Sequence, residues 1–232
     1  MKKIIFFIVL LLGIGSLFAL NVQKNGATLG KWTMDYDKAL VKAKKEDKPI
    51  FLQFTGSDWC PWCKLMAKNV FSKKVWDNYA KNEIYLVYLD FPRKNPNLVP
   101  KKYRARNQNL TQQYGVRGFP TYIILDSNGT TELGRLSAGQ EKTAYSFIKE
   151  VKRLLRKRPS EMTKFLKKLP TKTSKKLKKK IADLEKKKAD FDDWLATRPQ
   201  KNKKNIKIYN NYLKQIDRLN DEIDAIFDGH SK

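Results

Sequence analysis

Two cysteines stand three positions apart in Trp59-Cys60-Pro61-Trp62-Cys63-Lys64, and the chain has no others. On the first turn of a helix, that spacing brings two sulfurs within bonding reach and leaves the first more exposed than the second. Unpaired N–H groups and the macrodipole at a helix N-terminus stabilise a thiolate. Cys60 is therefore expected to attack a disulfide and form a mixed disulfide, which Cys63, one turn inside, resolves. Thiols so placed have pKa values of roughly 3.5–7.5, against about 8.5 when free. Pro61 suits a first turn, whose N–H groups lack internal partners anyway. Two other readings compete. A zinc site needs about four ligands, and only the distant His230 could join the cysteines. A purely structural bridge would close a very small loop, with little effect on stability. The expectation is redox chemistry with no metal and no bound cofactor, the Cys60–Cys63 disulfide itself being the reactive group.

A strand, a turn and a helix have to hold that pair. Residues 50–55 (IFLQFT) form a short β-prone run suited to a sheet centre. Gly56-Ser57-Asp58 makes the turn, and a helix starts at the motif and runs to about residue 69. Ser72 can cap a further helical piece to about residue 81. Upstream, residues 34–47 read as an amphipathic helix broken by Lys48-Pro49. Downstream, residues 84–91 (IYLVYLDF) give a second buried strand, 92–100 a Pro- and Asn-rich loop, and 105–114 a polar helix. Residues 121–126 and 131–136 are strands joined by the hairpin signal Ser127-Asn128-Gly129. A helix over 141–157 closes the region. The alternation predicts an α/β fold, a mixed sheet with helices on both faces.

FTGSDWCPWCK, followed some fifty residues later by YGVRGFPT, resembles the thioredoxin superfamily, in particular secreted thioredoxin-like disulfide oxidoreductases with a Trp-Cys-x-x-Cys-Lys active site. The resemblance covers residues 31–157. It implies a thioredoxin-like sheet and a cis Pro120 beside the cysteines, with backbone groups at Phe119 facing outward. Those groups would pair with an extended substrate segment as an added strand. Trp59 and Trp62 would form an apolar rim that receives substrate. Two positions depart from the family. Gln53 stands where a buried carboxylate is usual below the resolving cysteine, and Leu86 where the neighbouring strand often has a lysine. The Pro61-Trp62 pair matches neither reducing thioredoxins nor strong oxidants, so the direction of electron flow stays open. A reductase or isomerase is favoured because strong oxidants usually carry a histidine in the motif. The alternative is a disulfide-forming oxidant, since Arg117 and the positive field favour the dithiol form.

The remaining segments bear on delivery. Lys2 and Lys3 precede an apolar run over residues 4–20, the pattern of a secretory signal or an uncleaved anchor. Either places the body of the protein outside the cytoplasm, in a periplasmic or other extracytoplasmic space where disulfides form. Residues 158–232 are Lys-rich, with apolar positions at helical spacing on either side of a turn over 197–204. This predicts a C-terminal helical hairpin as an extension. The excess of 49 Lys+Arg over 23 Asp+Glu, +26, is either a solubility device or a field for acidic partners. Expected partners are protein thiols and disulfides and a redox partner. Residues 160–232 add an acidic surface or self-association, and a nucleic-acid role is disfavoured by the export signal. A thioredoxin-fold binding module targeted by the basic tail is the reading from another class.

Overall fold

The computed structural model describes residues 20–230, so the expected signal or anchor over 1–20 lies, but for Leu20, outside the described residues. After Leu155 the chain divides into two compact units. Among the described residues no helix is long and apolar enough to cross a membrane.

The first unit is built on a six-stranded sheet. Its strands are β1 (Val22–Gln23), β2 (Trp32–Thr33), β3 (Ile50–Thr55), β4 (Tyr85–Asp90), β5 (Thr121–Leu125) and β6 (Glu132–Ser137). Their order is β1-β2-β4-β3-β5-β6. β3 runs parallel to β4 and antiparallel to β5, and β6 closes the edge antiparallel to β5. Every residue of β3 and β4 is buried, which explains why both read as predominantly apolar runs. The turn Ser127-Asn128-Gly129 between β5 and β6 places Gly129 at φ +73°, a conformation glycine adopts without strain.

Helices cover both faces. α1 (Tyr36–Glu46) and α4 (Lys101–Gln113) bury Ala39, Ala43 and Leu110 against Ile50, Leu52, Phe54 and Val87. On the other face lie α2 (Pro61–Met66), a π-helical turn (Ala67–Phe71), α3 (Lys74–Ala80) and α5 (Ala144–Leu155). There Phe71, Trp76 and Phe147 pack edge-to-face or tilted around Phe51, with ring centroids 5.1–6.1 Å apart. Such pairs each add about 0.5–1.5 kcal/mol beyond the area they bury. α5 starts on a reciprocal cap: Thr143 N–H donates to Ser146 Oγ at 3.0 Å, and Ser146 N–H to Thr143 Oγ1 at 3.2 Å.

Several expectations change. The cap of α3 is Lys73 with no side-chain bond, because Ser72 Oγ instead donates to the Lys68 carbonyl across the π turn. α4 begins at Lys101 rather than 105, directly after Pro100. β1 and β2, two residues each, carried no periodic signal.

In the second unit, α7 (Thr171–Ala196) and α8 (Lys203–Gly229) form the expected antiparallel hairpin. Phe191 stacks on Tyr212 at 5.1 Å, and Lys180 pairs with Glu222 at 2.5 Å. A third helix, α6 (Pro159–Lys168), was not expected. Pro159 is its first helical residue, where the missing N–H costs no internal bond. Phe165 of α6 stacks on Phe227 of α8 at 4.2 Å, and Arg156 lies over the Phe227 ring while pairing with Asp224.

Candidate active site

β3 ends at Thr55, and its turn carries the cysteines onto α2. Cys60 is the N-cap residue, with Pro61 in the first turn. Cys60 and Cys63 are joined by a disulfide with Cα atoms 5.2 Å apart. The Cys63 N–H donates to Cys60 Sγ at 3.2 Å, so the helix N-terminus presents an amide to the first sulfur. The Gly56 N–H donates to Cys63 Sγ at 3.5 Å. The expected difference in exposure does not hold: Cys60 is 3% and Cys63 2% exposed. What separates the two sulfurs is their surroundings. Cys60 Sγ lies 3.6 Å from the Phe119 carbonyl oxygen, and Cys63 sits under the Gly56 amide.

The Phe119–Pro120 bond is cis. Phe119 stacks on Phe91 at 4.9 Å and meets the Trp59 indole edge-on at 5.9 Å. Trp59 is locked from three sides. Its Nε1–H donates to the Phe91 carbonyl at 2.8 Å, the Arg93 guanidinium lies 3.5 Å from its ring centre, and Gly56 is packed against its indole. A Cβ at Gly56 would run into that indole, so only glycine fits. Trp62, on the first turn of α2, is 47% exposed.

A cleft of about 490 Å³ opens beside these rings, between Trp59, the 91–99 loop, α4 and the 116–119 turn. Arg93, Arg104 and Arg117 line it, with Asp90 at its wall. Arg104 Nε and Nη2 donate to the carbonyls of Val99 and Pro96, which shapes the loop. Among the described residues no group of three or more His, Cys, Asp and Glu side chains is placed to hold a metal ion.

Gln53 is buried at 1% exposure, and its Oε1 finds no donor among the described residues. The residue beside it on β4 is Tyr88, not Leu86, which pairs in register with Phe51. Tyr122 flanks Gln53 from β5. Burial, the largest effect, pushes the Tyr88 and Tyr122 hydroxyls above their ordinary range, so both stay neutral at physiological pH.

Asp58 sits on the surface turn, as expected, and there holds the neighbouring loop. Its carboxylate accepts from the backbone N–H groups of Arg93, Lys94 and Asn95 at 3.0, 2.6 and 2.9 Å. Desolvation opposes the charge, but those amides outweigh it and hold the Asp58 carboxyl below the usual range.

Sequence reasoning missed Asp90, the carboxylate buried nearest in the fold to the motif turn. It accepts from Ser57 N–H and Phe91 N–H at 2.9 Å each and from Ser57 Oγ–H at 2.6 Å. A signal existed: an acid closing the apolar run IYLVYLDF is either a cap or a buried functional group.

Comparison with known proteins agrees with this geometry. Residues 36–154, just over half of the chain, match the family model described as a thioredoxin-like domain. The disulfide bond reductase DsbH of Chlamydia pneumoniae is 40% identical over 94 residues, covering 40% of this chain and 55% of that protein. The thioredoxin-related protein DsbJ of the same organism is 25% identical over 112 residues, 48% of this chain and 31% of its own. The chain thus spans about half or less of the length of these curated relatives. A solved structure named DsbH Oxidoreductase superposes with a TM-score of 0.50 at 34% identity, over 60% of this chain and 96% of that one. With its parallel β3–β4 core, its cis-proline turn and its bridged Cys60–Cys63 pair at the start of α2, the chain belongs to the thioredoxin-like domain family.

Proposed function

We propose that the protein is an extracytoplasmic thiol–disulfide oxidoreductase that reduces or reshuffles disulfides in exported proteins, with Cys60 as nucleophile and Cys63 as resolving residue. The observation that carries this is the bridge at the N-terminus of α2, its first sulfur beside the carbonyl of Phe119, a residue that lines the cleft. An extended substrate segment would pair with the backbone at Phe119 and Pro120, against Trp59, with the exposed Trp62 at the rim. Cys60 attacks one substrate sulfur and the other leaves as a thiolate. Cys63 then attacks Cys60, releasing the second substrate thiolate and re-forming the protein disulfide. Two electrons pass from the protein dithiol to the substrate. Reduction is favoured by the relative named a disulfide bond reductase and by the absence of histidine between the cysteines. Export is supported by the leader at residues 1–20 together with a chemistry suited to an oxidising space.

Arg93, Arg104 and Arg117 favour the opposite direction. Positive charge at the cleft stabilises a Cys60 thiolate and hence the dithiol form, which makes the disulfide a better oxidant. Redox equilibration of the full chain against glutathione decides between them. A potential between about −270 and −200 mV supports the reductase, and one near about −120 mV overturns it in favour of an oxidant.

A further inference from the structure

Asp90 ends β4 at the wall of the cleft, with only 4% of its surface exposed. Ser57 gives it both its N–H and its hydroxyl, and the residue before it in the same turn, Gly56, gives its N–H to Cys63 Sγ. Consecutive amides of one turn therefore serve a buried carboxylate and the resolving sulfur. We propose that Asp90 is a positioning residue for Cys63: it fixes the turn that faces the sulfur, and its negative charge weighs against a thiolate there. The proposal rests on reading the pair as an exchange centre.

A like charge in a poorly solvated site disfavours ionisation of its neighbour. Burial, the largest effect, pushes the Asp90 carboxyl above the usual range, the bonds from Ser57 and Phe91 hold it back in part, and Asp58 adds to the upward push. The other charged or titratable groups around it are Tyr88 on β4 and the arginines of the cleft. Arg93 lies over Trp59 and Arg104 donates to carbonyls, so neither is bonded to the carboxylate. Asp90 then sets the pH at which Cys63 becomes a nucleophile.

The test uses the reduced full-length protein and an aromatic disulfide whose thiolate product is coloured. Cys60 attacks first and releases one coloured thiolate. Cys63 then attacks the Cys60 sulfur of the mixed disulfide, the protein disulfide forms and a second coloured thiolate leaves. The rate of that second release is followed against pH in the wild type and in Asp90→Asn. Asparagine keeps Oδ1 for the two amides and can turn Nδ2 toward Ser57 Oγ, so the contacts stay and the charge goes. If the charge raises the Cys63 pKa by about one unit, its removal gives roughly tenfold more thiolate at low pH. Intrinsic reactivity falls by about threefold, for a Brønsted coefficient of about 0.4–0.5. The second release should therefore be about threefold faster between the Asp90 and thiol ionisations and about threefold slower above both, with profiles that cross there and converge once Asp90 is protonated. Coincident profiles, or a uniform slowing at every pH, overturn the proposal. The wild-type profile is a second measurement that needs no variant: it should show a carboxyl ionisation besides that of the thiol, and a single ionisation overturns the proposal as well. A wild-type protein that gives no second release refutes the exchange reading itself.

Discussion

Replacing Gly56 with alanine should cost stability through one side chain, Trp59. Gly56 has no positive φ, so alanine brings no backbone strain, and through the unfolded state it would be worth about 0.4–1 kcal/mol in its favour. Against that, the new Cβ meets the indole, which has to leave its place. Leaving gives up the Nε1–H bond to Phe91, about 1 kcal/mol. The Arg93 stack is worth about 0.5–1 kcal/mol and the Phe119 contact about 0.5–1.5 kcal/mol. The net loss should be about 1–3 kcal/mol, read by urea unfolding with tryptophan fluorescence. Four of the five tryptophans lie in the first unit, so the signal reports mainly on it. The decisive comparison is made in a Trp59→Ala background, where the obstacle is gone and Gly56→Ala should become neutral or stabilising. A loss of more than about 1 kcal/mol in that background would refute the clash and point to the Gly56 amide instead.

Cys60→Ser should abolish exchange, and Cys63→Ser should trap mixed disulfides through Cys60, seen as reductant-sensitive adducts; adducts through Cys63 would reverse the roles. Truncation near Arg158 should leave a cooperatively unfolding domain with an active pair, since α5 already completes the sheet's cover, and should alter self-association or salt-sensitive binding to an acidic surface. A truncated chain without a cooperative thermal transition would place the extension in the fold of the first unit. The two carboxylates should give opposite pH signatures in unfolding. Asp58, lowered in the folded state, contributes stability above its ordinary range that is lost as pH falls through its folded pKa. Asp90, raised by burial, costs stability while ionised, and the cost is relieved as pH falls through its folded pKa. Asp90→Asn should therefore be at least as stable as the wild type near neutral pH and lose that advantage in acid, as urea midpoints across the pH range will show.

What could be read in advance followed how local its cause was. Ile50–Thr55 and Tyr85–Asp90 announce themselves because burial on both faces leaves mostly apolar side chains, with Asp90 at the end of the second as the charged exception. The motif residues Trp59, Cys60 and Cys63 are neighbours in the chain, and Phe119 and Pro120 were tied to them through the family resemblance. The features that escaped depend on pairing across the chain. Whether Leu86 or Tyr88 faces Gln53 is a matter of strand register, which a one-dimensional pattern does not set. The three amides on Asp58 come from a loop 35–37 residues away, and Ser57 reaches Asp90 across 33. The equal burial of the two cysteines likewise arises from what covers the turn, not from the spacing within it.

The π-helical turn behind α2 sets the angular phase of the reactive centre. A π turn holds one residue more than the α-helix it interrupts, and one residue is about 100° of rotation. Val70 and Phe71 are both fully sunk in the core, which pins the far end of this segment. The wide turn takes up that residue, so Cys60 keeps its phase over these anchors. Deleting one residue within 67–69 would close the π turn to an ordinary α turn and leave Cys60 facing the Phe119 carbonyl, whereas inserting one in the regular turns of α2 would rotate it by about 100°. The π turn thus acts as slack in the count between a rigid interior and the two sulfurs.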